Sequence, residues 1–121
     1  MSFSDILAEA TRNVEGAVAI GLVGIDGMGV ETVTSDAHNF DHEMAEVELA
    51  GLLGSISRTA KTLAAGKIKD IIVEADKQSY LLSLVDADYF LLVALEPGAN
   101  LGRARYEVKK VVSKLQNIDS L

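Results

Sequence analysis

The segment that most constrains the fold is AVAIGLVGI, at residues 17–25. It is apolar at both odd and even positions, which is typical of a strand buried on both faces of a sheet. The segment YFLLVAL, at residues 89–95, shows the same pattern. A sheet that contains two such strands must be covered on both sides. The sequence therefore predicts an α/β chain with three layers, an α/β/α sandwich.

The other strand patterns complete a five-stranded antiparallel sheet. Asp26-Gly27 predicts a hairpin turn into a short strand at residues 30–34. Two more strands, at residues 68–75 and 79–85, precede the strand at 89–95 through short links. Three consecutive strands with tight links form an antiparallel meander. We expect the sheet order 2-1-5-4-3, with the second and third strands at the edges.

Three helices are predicted from apolar residues at helical spacing. The first runs from Phe3 to Val14 behind Ser2 or Ser4, and the last follows a cap at Asn100. The longest occupies residues 43–65 and contains no proline. Its apolar face consists of Ala45, Leu49, Leu52, Leu53, Ile56, Ala60 and Leu63. The element order is therefore α-β-β-α-β-β-β-α.

Composition limits the class of protein and its partners. A chain of 121 residues with 49% hydrophobic residues is expected to form a single domain over residues 1–121. The net charge of -7 disfavours nucleic acid and anionic membranes as partners. The absence of cysteine and of a basic, apolar N-terminal leader pattern predicts a cytoplasmic protein.

A glycine cluster is the first of three candidate sites for chemistry. Gly21, Gly24, Gly27 and Gly29 are close together, but no phosphate-loop lysine follows them and the next segment has a strand pattern. We interpret the cluster as part of a hairpin.

The other two candidates are groups of acidic and histidine side chains. Asp36, His38, Asp41 and His42 lie in one polar loop, where turn and cap roles are common, and Asp86 with Asp88 fits a β-turn. The sequence thus predicts no catalytic residues, no cofactor and no metal, and the chain is not expected to be an enzyme.

The reverse side of the longest helix is the most informative surface. At 100° per residue, five residues lie roughly opposite the apolar face: Val47, Gly51, Gly54, Ser55 and Arg58. Glycine inside a helix costs about 1 kcal/mol relative to alanine. Two such glycines favour a role in close approach of another helix, although a solvated face without a role remains the alternative.

The third strand supports self-association. Residues 68–75, IKDIIVEA, contain no proline and three consecutive aliphatic residues. An uncovered edge strand of this type pairs readily with other chains. Pairing with its own copy across a twofold axis would cover the edge and bring the two long helices side by side.

Three segments carry a resemblance to a known family. Residues 80–93, YLLSLVDADYFLLV, resemble its two strands around an acidic turn, and residues 100–105, NLGRAR, resemble its entry to the last helix. Residues 19–29 resemble its first hairpin. Together they resemble the Roadblock family of dynein light chains and bacterial small-GTPase regulators, which implies a profilin-like fold of the Roadblock type.

The resemblance also implies partners and surfaces. Family members form dimers through the long helix and the third strand, and many bind Ras-like GTPases, some as activating partners. Carried onto this sequence, the homodimer contact falls on Val47, Gly51, Gly54, Ser55, Arg58, Ile68, Ile71 and Val73. The GTPase is expected on exposed parts of the long helix, at Met44, Arg58 and Lys61.

Two alternatives to a GTPase regulator or scaffold stay open. One is a purely structural adaptor in a larger complex. The other is a small-molecule sensor, which requires a cavity between sheet and helix. The sequence disfavours a cavity because eight facing residues can fill that layer: Leu49, Leu52, Ile56, Leu63, Leu82, Leu84, Leu92 and Ala94.

Overall fold

The helices and strands follow one another in the predicted order. The structure is a computed structural model that describes residues 2–35 and 39–118. The elements are α1 (Phe3–Asn13), β1 (Ala17–Gly24), β2 (Gly29–Thr34), α2 (His42–Thr62), β3 (Asp70–Glu74), β4 (Ser79–Leu84), β5 (Tyr89–Leu95) and α3 (Leu101–Gln116).

The five strands form one antiparallel sheet in the order β2-β1-β5-β4-β3, which confirms the predicted topology. Val93 of β5 lies opposite Ile20 of β1 on one side and Leu81 of β4 on the other. The central strands β1 and β5 are buried over almost their whole length. Their continuous apolar pattern therefore reflects helix packing on both faces of the sheet.

One face of the sheet is covered by α1 and α3. Leu7 of α1 and Leu115 of α3 are fully buried against Ile20, Leu91 and other side chains of this face. The N-caps of these helices are Ser2, which forms a capping box with Asp5, and Asn100. Of the two predicted caps for the first helix, Ser2 is thus the one observed.

The opposite face is covered by α2 and by Phe40, which precedes this helix. Leu49 and Leu53 of α2 pack on Leu82, Phe90 and Leu92 of the sheet. No helix in the described part of the chain is long and apolar enough to cross a membrane.

The C-terminal end of α2 departs from the prediction. The helix ends at Thr62, three residues before the predicted end, and Leu63 is 72% exposed instead of facing the sheet. Ala64 and Gly66 have positive φ angles of 56° and 89°, so the chain turns away from the helix axis there. The next strand begins at Asp70 and not at residue 68. The prediction that Leu63 fills the layer between helix and sheet is therefore wrong.

Candidate partner-binding surfaces

The outward face of α2 carries most of the predicted dimer residues. Val47, Gly51, Ser55 and Arg58 are exposed, and Gly54 is partly buried. Val47 is 64% exposed, a large fraction for an aliphatic side chain. The structure thus brings these five residues together on one helix face, as the 100° spacing predicts.

The two glycines on this face have no role in packing within the protomer. A Cβ atom at Gly51 would meet no other atom within 4 Å, and at Gly54 the nearest atom, Nη1 of Arg58, is 3.8 Å away. Neither residue has a positive φ angle. Because neither sterics nor backbone conformation within the described structure requires glycine, the cost to helix stability has no internal compensation.

The β3 residues of the predicted interface have a different environment. Ile71 is buried, and Ile68 and Val73 pack partly buried in the core beneath α2. The side chain of Ile72 is 43% exposed. Within the described sheet β3 pairs with β4 only, so its other edge presents main-chain N–H and C=O groups. A contact along this edge would use the main chain of β3, and a role of Ile68, Ile71 and Val73 in the dimer stays a prediction.

An exposed apolar patch lies where the β1–β2 turn meets α2. A Cβ atom at Gly27 in this turn would lie 3.5 Å from Cα of Val47. We call five exposed apolar side chains of this hairpin and of the first half of α2 the hairpin patch: Ile25, Met28, Val30, Met44 and Val47. Large apolar side chains exposed in one region of a protein mark sites of protein contact.

Sequence reasoning selected only Met44 and Val47 from the hairpin patch. Met28 is 72% exposed, and its N–H donates to Oδ1 of Asp26 at 3.0 Å, which holds it at the tip of the turn. An apolar residue between two glycines in a tight turn is held at the surface and cannot pack into the core. This signal was present in the sequence DGMG.

The other residues predicted to bind a partner, Arg58 and Lys61, are exposed. In the described structure neither forms an ion pair within the protomer. Arg105, another exposed arginine, contacts Asp70 with Nη2 at 3.0 Å.

The polar loop before α2 has a structural role. Oδ1 of Asp41 accepts a hydrogen bond from the N–H of Met44 and caps α2. Nδ1 of His42 lies 3.0 Å from Oε2 of Glu46, a buried carboxylate that also accepts from Thr32 of β2. Asp36 and His38 lie outside the described residues.

The acidic turn between β4 and β5 is a β-turn, as interpreted from the sequence. Oδ1 of Asp86 accepts hydrogen bonds from the N–H groups of Asp88 and Tyr89, at 2.8 Å and 2.9 Å. Among the described residues no group of three histidine or acidic side chains is placed to hold a metal ion.

An open groove of about 1000 Å³ runs beside the C-terminal half of α2. Ala50, Leu53 and Ser57 of α2 line one side, and the β4–β5 turn with Ile25 lines another. The sequence predicted that this layer would be filled. The groove exists because α2 ends early and the chain turns away at Ala64 and Gly66, which leaves this flank of the helix without a covering element.

Solved structures share this architecture over the full length of the chain, whereas the sequence matches no protein-family model and no curated protein. MglC from Myxococcus xanthus has 35% identity, and 96% of this chain and 98% of that chain are aligned with a TM-score of 0.69. MglB from Myxococcus xanthus has 23% identity, full coverage of both chains and a TM-score of 0.86. A Roadblock/LC7 domain from Streptomyces avermitilis has 15% identity, 96% coverage of both chains and a TM-score of 0.85.

The element order and the helices on both sheet faces define an α/β/α sandwich of the profilin-like class, as predicted. The 35% identity with MglC over nearly the whole of both chains extends this likeness from fold to family. The chain belongs to the Roadblock/LC7 family.

Proposed function

We propose that this chain is a homodimeric Roadblock module that regulates or scaffolds a Ras-like small GTPase, without being an enzyme itself. The observation that carries the dimer is the outward face of α2, where Gly51 and Gly54 leave a surface on which the one side-chain atom among the described residues within 4 Å is Nη1 of Arg58, near Gly54. Family membership supports the GTPase, because the Roadblock resemblance implies such partners.

The proposed dimer uses two adjoining surfaces. The free edge of β3 pairs with the same edge of a second copy, so its unpaired N–H and C=O groups gain partners. The same twofold axis brings the two α2 helices together at Gly51 and Gly54, where the lack of side chains permits close approach. This arrangement accounts for the glycines within α2, which lower the stability of the protomer, and for the unpaired edge of β3, which lowers its solubility.

The proposed GTPase surface lies on α2 and the hairpin patch. Met44, Val47 and Met28 supply exposed apolar area, and Arg58 and Lys61 supply positive charge beside it. Apolar residues at the centre of an interface with charged residues around them are typical of protein partners. Val47 and Arg58 are shared between the two proposed interfaces, so the GTPase test relies on Met28 and Met44.

Light scattering on a size-exclusion column, at micromolar concentration, tests the dimer. We expect twice the mass of the chain, and a monomer would contradict the homodimer. Binding to a purified Ras-like GTPase from the same genome, loaded with GTP or GDP, tests the partner.

Met28→Asp and Met44→Asp should weaken GTPase binding by about tenfold or more, because each places a charge in an apolar contact. Ser113→Asp on the exposed face of α3 is the matched control and should bind as the unmodified chain does. Stimulated GTP hydrolysis identifies a regulator with activating function, and binding without a change in hydrolysis identifies a scaffold. No binding to any such GTPase would reject this partner.

A further inference from the structure

The groove beside α2 carries an inference that does not depend on the proposed GTPase. Its lining includes the apolar side chains of Ile25, Ile68 and Leu84, which are partly or largely exposed, and the groove is open to solvent. Lys61, Lys67 and Lys69 also line it, and all three are exposed. The groove therefore combines an apolar floor with a positively charged rim.

The charge of this region is opposite to that of the rest of the chain. Residues 49–69 contain Arg58, Lys61, Lys67 and Lys69 and no acidic residue. Since the whole chain carries -7, the remainder carries -11. A positively charged surface in an otherwise acidic protein attracts negatively charged partners and repels positively charged ones.

The rim lysines have no side-chain partner among the described residues. None of the three forms an ion pair or side-chain hydrogen bond with another described residue. The one acidic residue on the lining, Asp86, directs Oδ1 to the main chain of its own turn. Lys61 lies in the last turn of α2 and stabilises the helix dipole, but Lys67 and Lys69 lie beyond the helix and have no such role.

The shape favours a polypeptide segment as the occupant. A volume of about 1000 Å³ is at the upper end of the range for small-molecule pockets, which usually enclose a few convergent polar groups. Here the charged groups lie on the rim instead of the floor. An amphipathic helix places apolar residues on one face and acidic residues at its borders, which matches a groove with an apolar floor and lysines along the edge.

We propose that the groove between α2, the residues before β3 and the β4–β5 turn binds an acidic amphipathic helix of a partner protein. Apolar residues of that helix contact Ile68 and Leu84, and its carboxylates lie near Lys61, Lys67 and Lys69. The site is on the flank of α2, and its lining includes Gly54, which also belongs to the outward face, so a second copy on that face would adjoin the bound helix.

Two labelled model peptides test this site with the full chain. Each is an amphipathic helix of about 18 residues, five turns, with leucine on one face; the polar positions are glutamate in one and lysine in the other. Fluorescence anisotropy should show binding of the glutamate peptide that weakens as salt is raised, because exposed charges are screened. The lysine peptide should bind at least about tenfold more weakly.

Charge-reversal variants locate the contact. Lys67→Glu with Lys69→Glu should reduce affinity for the glutamate peptide by about tenfold or more. Lys77→Glu with Lys109→Glu reverses two other exposed lysines that have no ion pair among the described residues, and should change it by less than about twofold. Ser57→Trp, which places a ring in the groove from an exposed position, should also reduce binding, and it keeps the test valid if the lysine variants fold poorly.

Three results would overturn the proposal. If both peptides bind with equal affinity, the groove is a non-specific apolar surface that does not select for acidic partners. If Lys67→Glu with Lys69→Glu changes the oligomeric state of the chain, the groove binds a second copy of the chain. Failure of the glutamate peptide to bind, together with a thermal stabilisation by dodecanoate that Ser57→Trp removes, would assign it to a small amphipathic anion. None of these measurements involves a GTPase, so their outcome is separable from that of the proposed function.

Discussion

The hydroxyl of Thr32 on β2 donates a hydrogen bond to Oε2 of Glu46 on α2, with 3.0 Å between the two oxygens. Nδ1 of His42 lies 3.0 Å from the same carboxylate oxygen. Glu46 is only 5% exposed, so its carboxylate depends on these partners for the interactions that water provides elsewhere. This contact connects the outer strand β2 to the start of the helix that carries the proposed interfaces.

Removal of this carboxylate should destabilise the fold. Glu46→Ala is expected to lower the free energy of unfolding by about 1–3 kcal/mol, because Thr32 and His42 both lose a charged hydrogen-bond partner. Urea denaturation followed by circular dichroism measures the change. Glu48→Ala on the exposed side of the same helix is the control and should stay within about 0.5 kcal/mol of the unmodified chain. Equal effects of the two substitutions would show that the Glu46 contacts contribute no stability.

Gly29 on β2 should be energetically coupled to Glu46. A Cβ atom at Gly29 would lie 2.6 Å from Oε1 and 2.7 Å from Oε2 of Glu46, closer than nonbonded atoms approach. Gly29→Ala is therefore expected to destabilise the chain by about 1–3 kcal/mol, as overpacking does. In a Glu46→Ala background the same substitution should cost at least about 0.5 kcal/mol less, which a double-mutant cycle measures. Strictly additive effects would show that the two residues do not interact.

Asp70 links the edge strand β3 to β4 and α3. Its Oδ1 accepts a hydrogen bond from Ser83 at 2.9 Å, and its Oδ2 lies 3.0 Å from both Nε and Nη2 of Arg105. Asp70→Ala should lower the free energy of unfolding by about 1–3 kcal/mol because the carboxylate is mostly buried and has two partners. Arg105→Ala should cost less than about 1 kcal/mol, since the guanidinium is half exposed and regains water. Thermal and urea denaturation of both variants measures which substitution destabilises the fold more. A larger loss for Arg105→Ala than for Asp70→Ala would contradict the role given to Asp70.

Most of the fold was predictable, because a strand that is buried on both faces of the sheet has apolar residues at consecutive positions in the sequence. Strands β1 and β5 are apolar at every position that a covering helix contacts, and the short links after β3 and β4 restrict their pairing to neighbours. The turn at Asp26-Gly27 and the caps at Ser2 and Asn100 then set element boundaries to within a residue or two.

The groove was not predictable from the sequence. The spacing of apolar residues indicates which face of a helix packs on the sheet, but it does not indicate the residue at which the helix ends. Leu63 continues the apolar spacing of α2. Because the helix has ended and the positive φ angles at Ala64 and Gly66 turn the chain away, Leu63 stays exposed and does not face the sheet. The environment of Ile71 has a similar origin. A run of aliphatic residues predicts an edge strand, but only the structure shows that Ile71 points into the core while Ile72 is exposed.

Substitutions at Gly51 separate protomer stability from self-association. Apart from its chain neighbours and the backbone of its own helix, no described atom lies within 4 Å of its Cβ position, so Gly51→Ala should raise helix stability by about 1 kcal/mol in a monomer. Gly51→Leu adds a side chain that prevents close approach of a second α2 helix, and should weaken the proposed dimer at least about tenfold, or ~1.4 kcal/mol. Sedimentation over a dilution series measures the dissociation constant. Ser113→Leu on α3 introduces the same side chain on an exposed face away from α2 and should leave the dimer unchanged. An unchanged dissociation constant for Gly51→Leu would exclude the outward face of α2 from the dimer contact, and the glycines would then need another explanation.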